Sequence, residues 1–292
     1  MTYSQADITV PYAVANFAEI RHKGYYYVDK TNYIPLLERY KAPVFLRPRR
    51  FGKSLLVSML AHYYDRNMAT QFKDLFGGTW IGEHPTNEHN QYLVVRYDFS
   101  TTSVASKKED IEKNFNAVNC SPLRTLVERN RDLFGDFRFR EDGNASNMLI
   151  EVCEFISSHN LPPLYILIDE YDNFTNQLLV VYKDSLYQDL TTGESFLRTF
   201  FKVIKAGIGE GTIRTCFCTG VLPVTMDDLT SGYNIAEMLT LKPEFTNLLG
   251  FTHEEAAQYL KYVINKYGPQ ASFEELWTLI LNNYDGYHFL PN

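Results

Sequence analysis

The run Arg47-Pro48-Arg49-Arg50-Phe51-Gly52-Lys53-Ser54 stands between an apolar segment, Val44 to Leu46, and a helical pattern that begins at Leu55. A strand that turns into a helix through Gly-Lys-Ser is the layout of a phosphate-binding loop. In such a loop the backbone N–H groups and the positive end of the helix face the anion. Lys53 would add a charge for the β- and γ-phosphates, and the Ser54 hydroxyl would ligate Mg²⁺.

The run departs from the usual phosphate-loop pattern at its first position. The pattern G-x-x-x-x-G-K-[ST] requires glycine where this chain has Arg47. Because a side chain replaces hydrogen there, we expect the loop to begin in an ordinary extended conformation, without a positive φ. Gly-Lys-Ser alone is common by chance, so the rest of the sequence has to decide whether a nucleotide binds.

A buried strand followed by two carboxylates supplies the second half of a nucleotide site. The apolar run Leu164 to Ile168 is bounded by prolines and by charge, which predicts a strand buried on both faces. Asp169 would lie at its carboxyl end, where ligands bind in open α/β sheets, and would hold Mg²⁺ through a water or through Ser54. Glu170 is the candidate for polarising the attacking water. A solvated pair of acids at a strand end is the alternative interpretation.

Two β-branched and aromatic runs predict further strands, at Tyr92–Phe99 and Thr212–Thr219. An Asp-Glu pair indicates the branch of P-loop ATPases that inserts a strand between the two motif strands, and we identify Tyr92–Phe99 as that inserted strand. Thr219 ends the later run and is the candidate sensor of the γ-phosphate; a turn residue without that role is the alternative. Cys216 and Cys218 would point to one face of the same strand as core thiols.

Composition predicts a globular protein of the cytosol. The chain has 292 residues, of which 45% are hydrophobic, enough for one large α/β domain or a domain with a small appendage. No apolar run approaches the length of a membrane span, and the N-terminus lacks the pattern of a secretory signal. The four cysteines show neither a zinc spacing nor a disulfide framework. The net charge of −7 argues against a nucleic-acid surface over the whole chain.

Helix signals organise the rest of the chain. Ser146 and Asn147 are predicted to cap a helix from Met148, and the glycines at 207, 209 and 211 are predicted to break the helix that contains Phe196–Ile204. The character of the sequence changes at about residue 247, after which Thr252 forms a capping box for a first helix and a second helix follows. We therefore divide the chain into a P-loop domain at 1–246, with a linker at 1–40, and a helical or winged-helix-like appendage at 247–292.

These motifs together resemble the AAA-ATPase-like family of P-loop NTPases. The matching pieces are Tyr27-Val28-Asp29-Lys30-Thr31, the run from Arg47 to Ser54, Leu167-Ile168-Asp169-Glu170-Tyr171-Asp172, Thr219-Gly220-Val221, Gly250-Phe251-Thr252 and Tyr284-Asp285-Gly286-Tyr287. The resemblance implies an α/β fold of the ASCE or AAA-like type, with a parallel sheet, flanking helices and the C-terminal appendage. It also implies ATP and Mg²⁺ as ligands, and it makes Arg47 typical of the family.

Members of this family are often fused to a C-terminal nuclease-like domain of the PD-(D/E)XK superfamily. No segment after Tyr287 could carry the acids of such a domain, so we expect that domain to be absent and the chain to be part of a longer protein or a short relative. A chain without that acid, acid and lysine set is not expected to cleave DNA or RNA.

The sequence favours an ATP-binding and ATP-hydrolysing switch or motor module of a larger protein. Two alternatives stay open: a regulatory module that binds nucleotide without turnover, and a nucleic-acid-associated module of a nuclease fusion. Oligomers and a protein or nucleic-acid partner are compatible with the sequence, and a membrane is not expected. The candidate catalytic residues are Glu170, Lys53 and Thr219; the candidate metal ligands are Ser54 and Asp169; the candidate nucleotide contacts are Arg49, Arg50, Phe51, Gly52, Lys53, Ser54 and Leu55.

Overall fold

A parallel β-sheet forms the centre of the fold in a computed structural model that describes residues 9–102, 108–141, 143–173, 176, 195–222 and 233–284. Within those residues the sheet has five strands in the order β2-β3-β4-β1-β5. The strands are β1 Pro43–Leu46, β2 Leu93–Asp98, β3 Leu164–Asp169, β4 Ile213–Gly220 and β5 Glu237–Met238. All neighbouring strands pair in parallel, so their carboxyl ends share one edge.

Helices flank the sheet. In the described ranges they are α1 Phe17–His22, α2 Ile34–Leu37, α3 Lys53–Tyr64, α4 Phe72–Phe76, α5 Trp80–Glu83, α6 Lys108–Arg129, α7 Arg131–Phe134, α8 Ala145–His159, α9 Phe196–Glu210, α10 His253–Tyr267 and α11 Phe273–Tyr284. The predicted α/β class, with a parallel sheet, flanking helices and C-terminal helices, is confirmed.

The strand order corrects one prediction. The strand that lies between β1 and β3 is β4, whereas β2 pairs with the far side of β3. Tyr92–Phe99 was therefore the wrong choice for the inserted strand. The runs Tyr92–Phe99 and Thr212–Thr219 are both rich in apolar and β-branched residues. Such a pattern indicates that a strand is buried, but it does not indicate which strands lie beside it. The order of strands follows instead from the crossover connections between them.

Aromatic side chains fill the core on both faces of the sheet. One face buries Phe99, Phe115, Phe200, Phe201 and Tyr233, among others. The other face packs α3 against the sheet, and there the Tyr64 and Tyr165 rings stack with centroids 4.1 Å apart. Full burial of one such side chain stabilises the fold by about 1.5–3 kcal/mol, so these layers hold α3 firmly on the sheet.

Two predictions about helix ends are wrong. The cap of α8 is Asn144, whose side chain accepts the Asn147 N–H at 2.8 Å, so the helix begins before Ser146. Gly207 and Gly209 lie inside α9, which ends at Gly211 with φ +82°. Packing explains why glycine stands at position 207 inside the helix: a methyl group there would lie 2.5 Å from Ile213 Cδ1. The close approach of α9 to β4 stabilises the fold by more than the low helix propensity of glycine costs.

The two C-terminal helices agree with their sequence signals. Thr252 and Glu255 form the predicted capping box of α10, and Gly268 ends that helix with φ +54°. The second predicted helix is present as α11, Phe273–Tyr284. The domain boundary at 247 stays a prediction.

The four cysteines are free and buried. Sγ of Cys216 lies 3.7 Å from Sγ of Cys218, so the two thiols share one face of β4 as predicted. Among the described residues, no helix has the length and apolar character needed to cross a membrane.

The carboxyl end of β4 packs tightly against the segment that follows β3. Asp172 Oδ2 accepts the backbone N–H groups of Val221 and Leu222 at 3.0 and 2.7 Å, and the Tyr171 hydroxyl donates to the Leu222 carbonyl at 2.8 Å. A methyl group at Gly220 would lie 2.4 Å from Asp172 Oδ1. Position 220 therefore has no room for a side chain.

We expect Gly220→Ala to lower the free energy of unfolding by about 1–3 kcal/mol, the usual effect of overpacking a tight contact. The matched control is Gly209→Ala on the exposed side of α9, where an added methyl group meets no atom within 4 Å. That variant should be neutral or more stable by up to about 1 kcal/mol, because alanine favours helix. Chemical denaturation measures both; equal stability of the two variants would contradict the packing argument.

Candidate functional site

The loop between β1 and α3 turns on two residues with positive φ. These are Arg50 at +69° and Gly52 at +94°, and Arg47 is not among the residues with positive φ. The prediction that the loop begins in an ordinary conformation is thereby confirmed. Gly52 occupies the N-cap of α3, so no side chain caps the first N–H groups of this 12-residue helix. Uncapped N–H groups and the helix dipole together favour an anion at this point.

Lys53 lies inside the turn of the loop. Its side chain is buried, and Nζ donates to the carbonyl oxygens of Arg47 at 2.9 Å and Pro48 at 3.0 Å. Burial lowers the pKa of Lys53, while the charges of Glu170 and Asp169 act in the opposite direction. Loop carbonyls thus hold the ammonium group inside the turn, within electrostatic range of Asp169 and Glu170 at the carboxyl end of β3.

Asp169 ends β3 as a buried carboxylate, with 2% of its surface exposed. Oδ2 accepts from Arg96 Nη2 at 3.4 Å, whereas Oδ1 has no hydrogen-bond partner of ordinary geometry in the described residues. Burial raises the pKa of Asp169, the Ser54 hydroxyl and Arg96 lower it, and Asp98 raises it again. A buried carboxylate beside a serine hydroxyl is suited to a hard cation.

Glu170 follows with φ +51°, an uncommon conformation for a residue with a side chain. Its Oε2 accepts from Asn173 Nδ2 at 2.7 Å, and its carbonyl accepts the Asn173 N–H at 3.0 Å. Asn173 therefore fixes both the backbone turn and the carboxylate. Strained backbone of this kind is costly, and its occurrence at functional sites is common.

Thr219 lies within the sheet and has no exposed surface. Its hydroxyl donates to the Phe45 carbonyl at 2.9 Å, across the β1–β4 pair. That bond joins the strand before the loop to the strand beside Asp169. Its role as a sensor of the γ-phosphate stays a prediction.

The other predicted nucleotide contacts differ in exposure. Arg49 and Arg50 are exposed on the loop, and Leu55 is half-buried against the core of the α3 face. The Phe51 carbonyl accepts the Gly250 N–H at 3.2 Å. The structure thus places the loop, Ser54, Asp169 and Glu170 along one edge of the sheet.

Three residues of this region make contacts that the sequence did not predict. Arg96 is the exposed residue of β2, whose other residues are mainly buried. This break in the pattern of burial is the signal that could have identified Arg96 as a partner of Asp169. Asp172 lies two residues after Glu170, and only the structure shows that it holds the end of β4. Lys30 Nζ contacts both carboxylate oxygens of Glu255, at 2.6 and 2.7 Å, and so joins the N-terminal segment to α10.

Comparison with known proteins agrees with this geometry. A family model described as Predicted AAA-ATPase matches residues 11–230. The uncharacterized protein in the vnfD 5′ region of Azotobacter chroococcum mcd 1 is 26% identical over 256 residues, which cover 84% of this chain and 43% of that protein. The chain therefore spans less than half the length of this relative. Because the family model covers more than half of the sequence, the chain belongs to the AAA-ATPase-like family of predicted AAA-ATPases.

Proposed function

We propose that the chain binds ATP with Mg²⁺ at the loop before α3 and hydrolyses it, as a switch or motor module. The position of Lys53 is the main support: its buried ammonium is held by loop carbonyls and lies within electrostatic range of the Asp169-Glu170 pair. An ammonium held by neutral carbonyls gains from a polyanion nearby, because charge-assisted bonds are the stronger ones. Family membership supports a nucleotide as that polyanion.

The carboxylate and hydroxyl groups at the site fit Mg²⁺. In the described residues no group of three or more His, Cys, Asp or Glu could hold a metal by itself. A cation here would therefore rely on Ser54, Asp169 and oxygens of the nucleotide, the arrangement that Mg²⁺ commonly takes in nucleotide sites. When bound, Mg²⁺ neutralises charge on the phosphate oxygens.

Turnover would depend on Glu170. The bond from Asn173 holds its carboxylate in one orientation, which suits a group that must position a water for attack on the γ-phosphate. Arg49 or Arg50, or an arginine of a neighbouring copy, would supply a further positive charge. Thr219 is proposed as the sensor because it joins β1 to β4 next to the loop.

The alternatives make different predictions. A regulatory module would bind ATP and release no phosphate. The loss of the first glycine would favour that alternative if Arg47 blocked the site. Its guanidinium instead donates to carbonyls of residues 240–246. A nucleic-acid module would rest on Arg49 and Arg50 against a net charge of −7. We propose that the protein works in the cytosol.

Mg²⁺ with ATP should raise the melting temperature of the wild-type chain, because a ligand that binds only the folded state stabilises it by mass action. Lys53→Ala should abolish this shift, and Lys113→Ala, which removes an exposed lysine on α6, should retain it. Thermal unfolding with millimolar ATP measures the shift. No shift in the wild type would contradict the nucleotide site.

Glu170→Gln separates an ATPase from a binding module. The substitution keeps the shape and the acceptor for Asn173 but removes the carboxylate, so ATP binding should persist while turnover falls by about 10²-fold or more. Phosphate release measures turnover, with Glu128→Gln on the exposed face of α6 as the matched control. Negligible phosphate release by the wild type over hours, at several protein concentrations, would exclude hydrolysis.

Asp169→Asn should stabilise the ligand-free protein and abolish the Mg²⁺-dependent part of ATP binding. Burial raises the pKa of Asp169 in the folded chain, so the folded protein pays for the charged carboxylate at any pH above that pKa. The gain from asparagine should be largest near neutral pH and should shrink as the pH falls through the folded-state pKa, where the carboxyl becomes neutral.

Urea denaturation of the wild type and the variant across this pH range measures the gain. Asp132→Asn is the matched control, since Asp132 is an exposed carboxylate paired with Arg66 at 2.8 Å. The control should show no gain and should keep its response to Mg²⁺. A loss of stability in Asp169→Asn at neutral pH would mean that the Asp169 charge already stabilises the ligand-free fold.

A further inference from the structure

Arg47 carries a buried charge at the position where the usual phosphate loop has glycine. Only 1% of its surface is exposed, and its guanidinium carbon lies 4.4 Å from the centroid of the Phe45 ring. Burial lowers the pKa of Arg47 to about 10. A buried cation is tolerated where several acceptors surround it, so the contacts of this side chain are what hold it there.

Those acceptors belong mainly to one segment, residues 240–250, which we name the docking segment. Nη1 donates to the Thr240 carbonyl at 3.1 Å, and Nη2 donates to the Thr246 carbonyl at 3.2 Å and to the Phe245 carbonyl at 3.5 Å. Nη1 also donates to the Leu46 carbonyl at 3.0 Å. One side chain thus joins the start of the loop to the docking segment.

The docking segment contacts the loop at two further points. The Leu46 N–H donates to Thr240 Oγ1 at 2.9 Å, just before the loop begins. The Gly250 N–H donates to the Phe51 carbonyl at 3.2 Å, just before α3 begins. Gly250 has φ +80°, and a methyl group there would lie 3.0 Å from the Phe51 ring. The segment therefore holds both ends of the loop.

The backbone of Arg47 also participates in the site. Its carbonyl accepts Lys53 Nζ at 2.9 Å, while its N–H donates to the Gly220 carbonyl at 3.2 Å. The same residue therefore fixes the peptide that holds the Lys53 ammonium and, through its side chain, the segment that packs on the loop. A change in the contacts of the Arg47 side chain should therefore alter the position of the Lys53 ammonium.

We propose that Arg47 is a positioning residue for the nucleotide: it fixes the first peptide units of the phosphate loop on the docking segment, and so sets the conformation that presents Lys53 and the α3 N-terminus to the phosphates. This inference rests on the proposed binding of ATP. It gives Arg47 a role that glycine could not fill. By linkage, ATP must then stabilise the contact between the loop and the docking segment by the same free energy by which that contact favours ATP binding.

Three variants test the proposal by isothermal titration with Mg²⁺ and a non-hydrolysable ATP analogue. Arg47→Met keeps length and removes every donor, so we expect the dissociation constant to rise about tenfold or more, since bonds to a charged group are lost at a precisely shaped anion site. Arg47→Lys keeps a cation with fewer donors and should fall between Met and wild type. Arg214→Met is the matched control: it removes an arginine that pairs with Glu88 at 3.0 Å, at the amino end of the sheet, so it should lower the melting temperature and leave affinity within about twofold.

Thr240→Val covers the case in which Arg47→Met does not fold. It removes the acceptor of the Leu46 N–H and the weaker bond from the Thr240 hydroxyl to Met238 Sδ at 3.2 Å, and it leaves the Thr240 carbonyl in place for Arg47. It should weaken analogue binding by a few-fold. Hydrogen exchange of the wild type adds a second measurement: residues 240–250 should become more protected when the analogue binds, and in Arg47→Lys this gain should shrink.

The outcomes separate this proposal from the proposed function. Wild type that does not bind the analogue would overturn the nucleotide site itself. Wild type that binds, with Arg47→Lys and Thr240→Val unchanged in affinity and no change in exchange at 240–250, would overturn the role of Arg47 and leave the nucleotide site intact. Equal losses of affinity in Arg47→Met and Arg214→Met would show that Arg47 acts through global stability alone.

Discussion

The loop before α3 buries two cations, and both must be matched by hydrogen-bond acceptors. Arg47 and Lys53 lie six residues apart and both are almost fully buried. A buried charge requires acceptors, and the chain supplies backbone carbonyls for both: those of the docking segment for Arg47, and those of the loop itself for Lys53. The loop can have this shape only while the docking segment lies on it.

The parallel sheet explains why the remaining groups lie beside this loop. The β2–β3 register sets Asp98 opposite Asp169, and the β1–β4 register sets Leu46 opposite Gly220. Parallel strands deliver their carboxyl ends to one edge, so the carboxylates after β3 face the loop after β1. The aromatic core holds this register, and the contact of Asp172 with the end of β4 closes the edge beside the site.

Much of this arrangement could be predicted from the sequence. The apolar runs and the helix-start pattern carry local signals, and these predicted the class of fold and the capping box of α10. The Gly-Lys-Ser and Asp-Glu motifs predicted which residues would form the site, and the roles of those residues stay predictions. Motifs of this kind name the ligand chemistry because they depend on spacing within a few residues.

The rest depended on contacts between distant segments. Nothing in the spacing of Arg47 indicates that its donors meet carbonyls about 200 residues later in the sequence. The position of β2 at the edge of the sheet depends on the crossover connections. The helix α9 continues past Gly207 because its packing against Ile213 requires a glycine there. In each case tertiary packing outweighed a local preference.

If ATP binds as proposed, the Lys53 ammonium must exchange loop carbonyls for phosphate oxygens. A crystal structure of the protein with Mg²⁺ and a non-hydrolysable ATP analogue tests this most directly. We expect the phosphates at the N-terminus of α3, with Lys53 Nζ moved to them from the carbonyls of Arg47 and Pro48. Ser54 and Asp169 should lie beside the metal ion. An analogue bound elsewhere, or a Lys53 that keeps both carbonyl contacts beside a bound nucleotide, would contradict it.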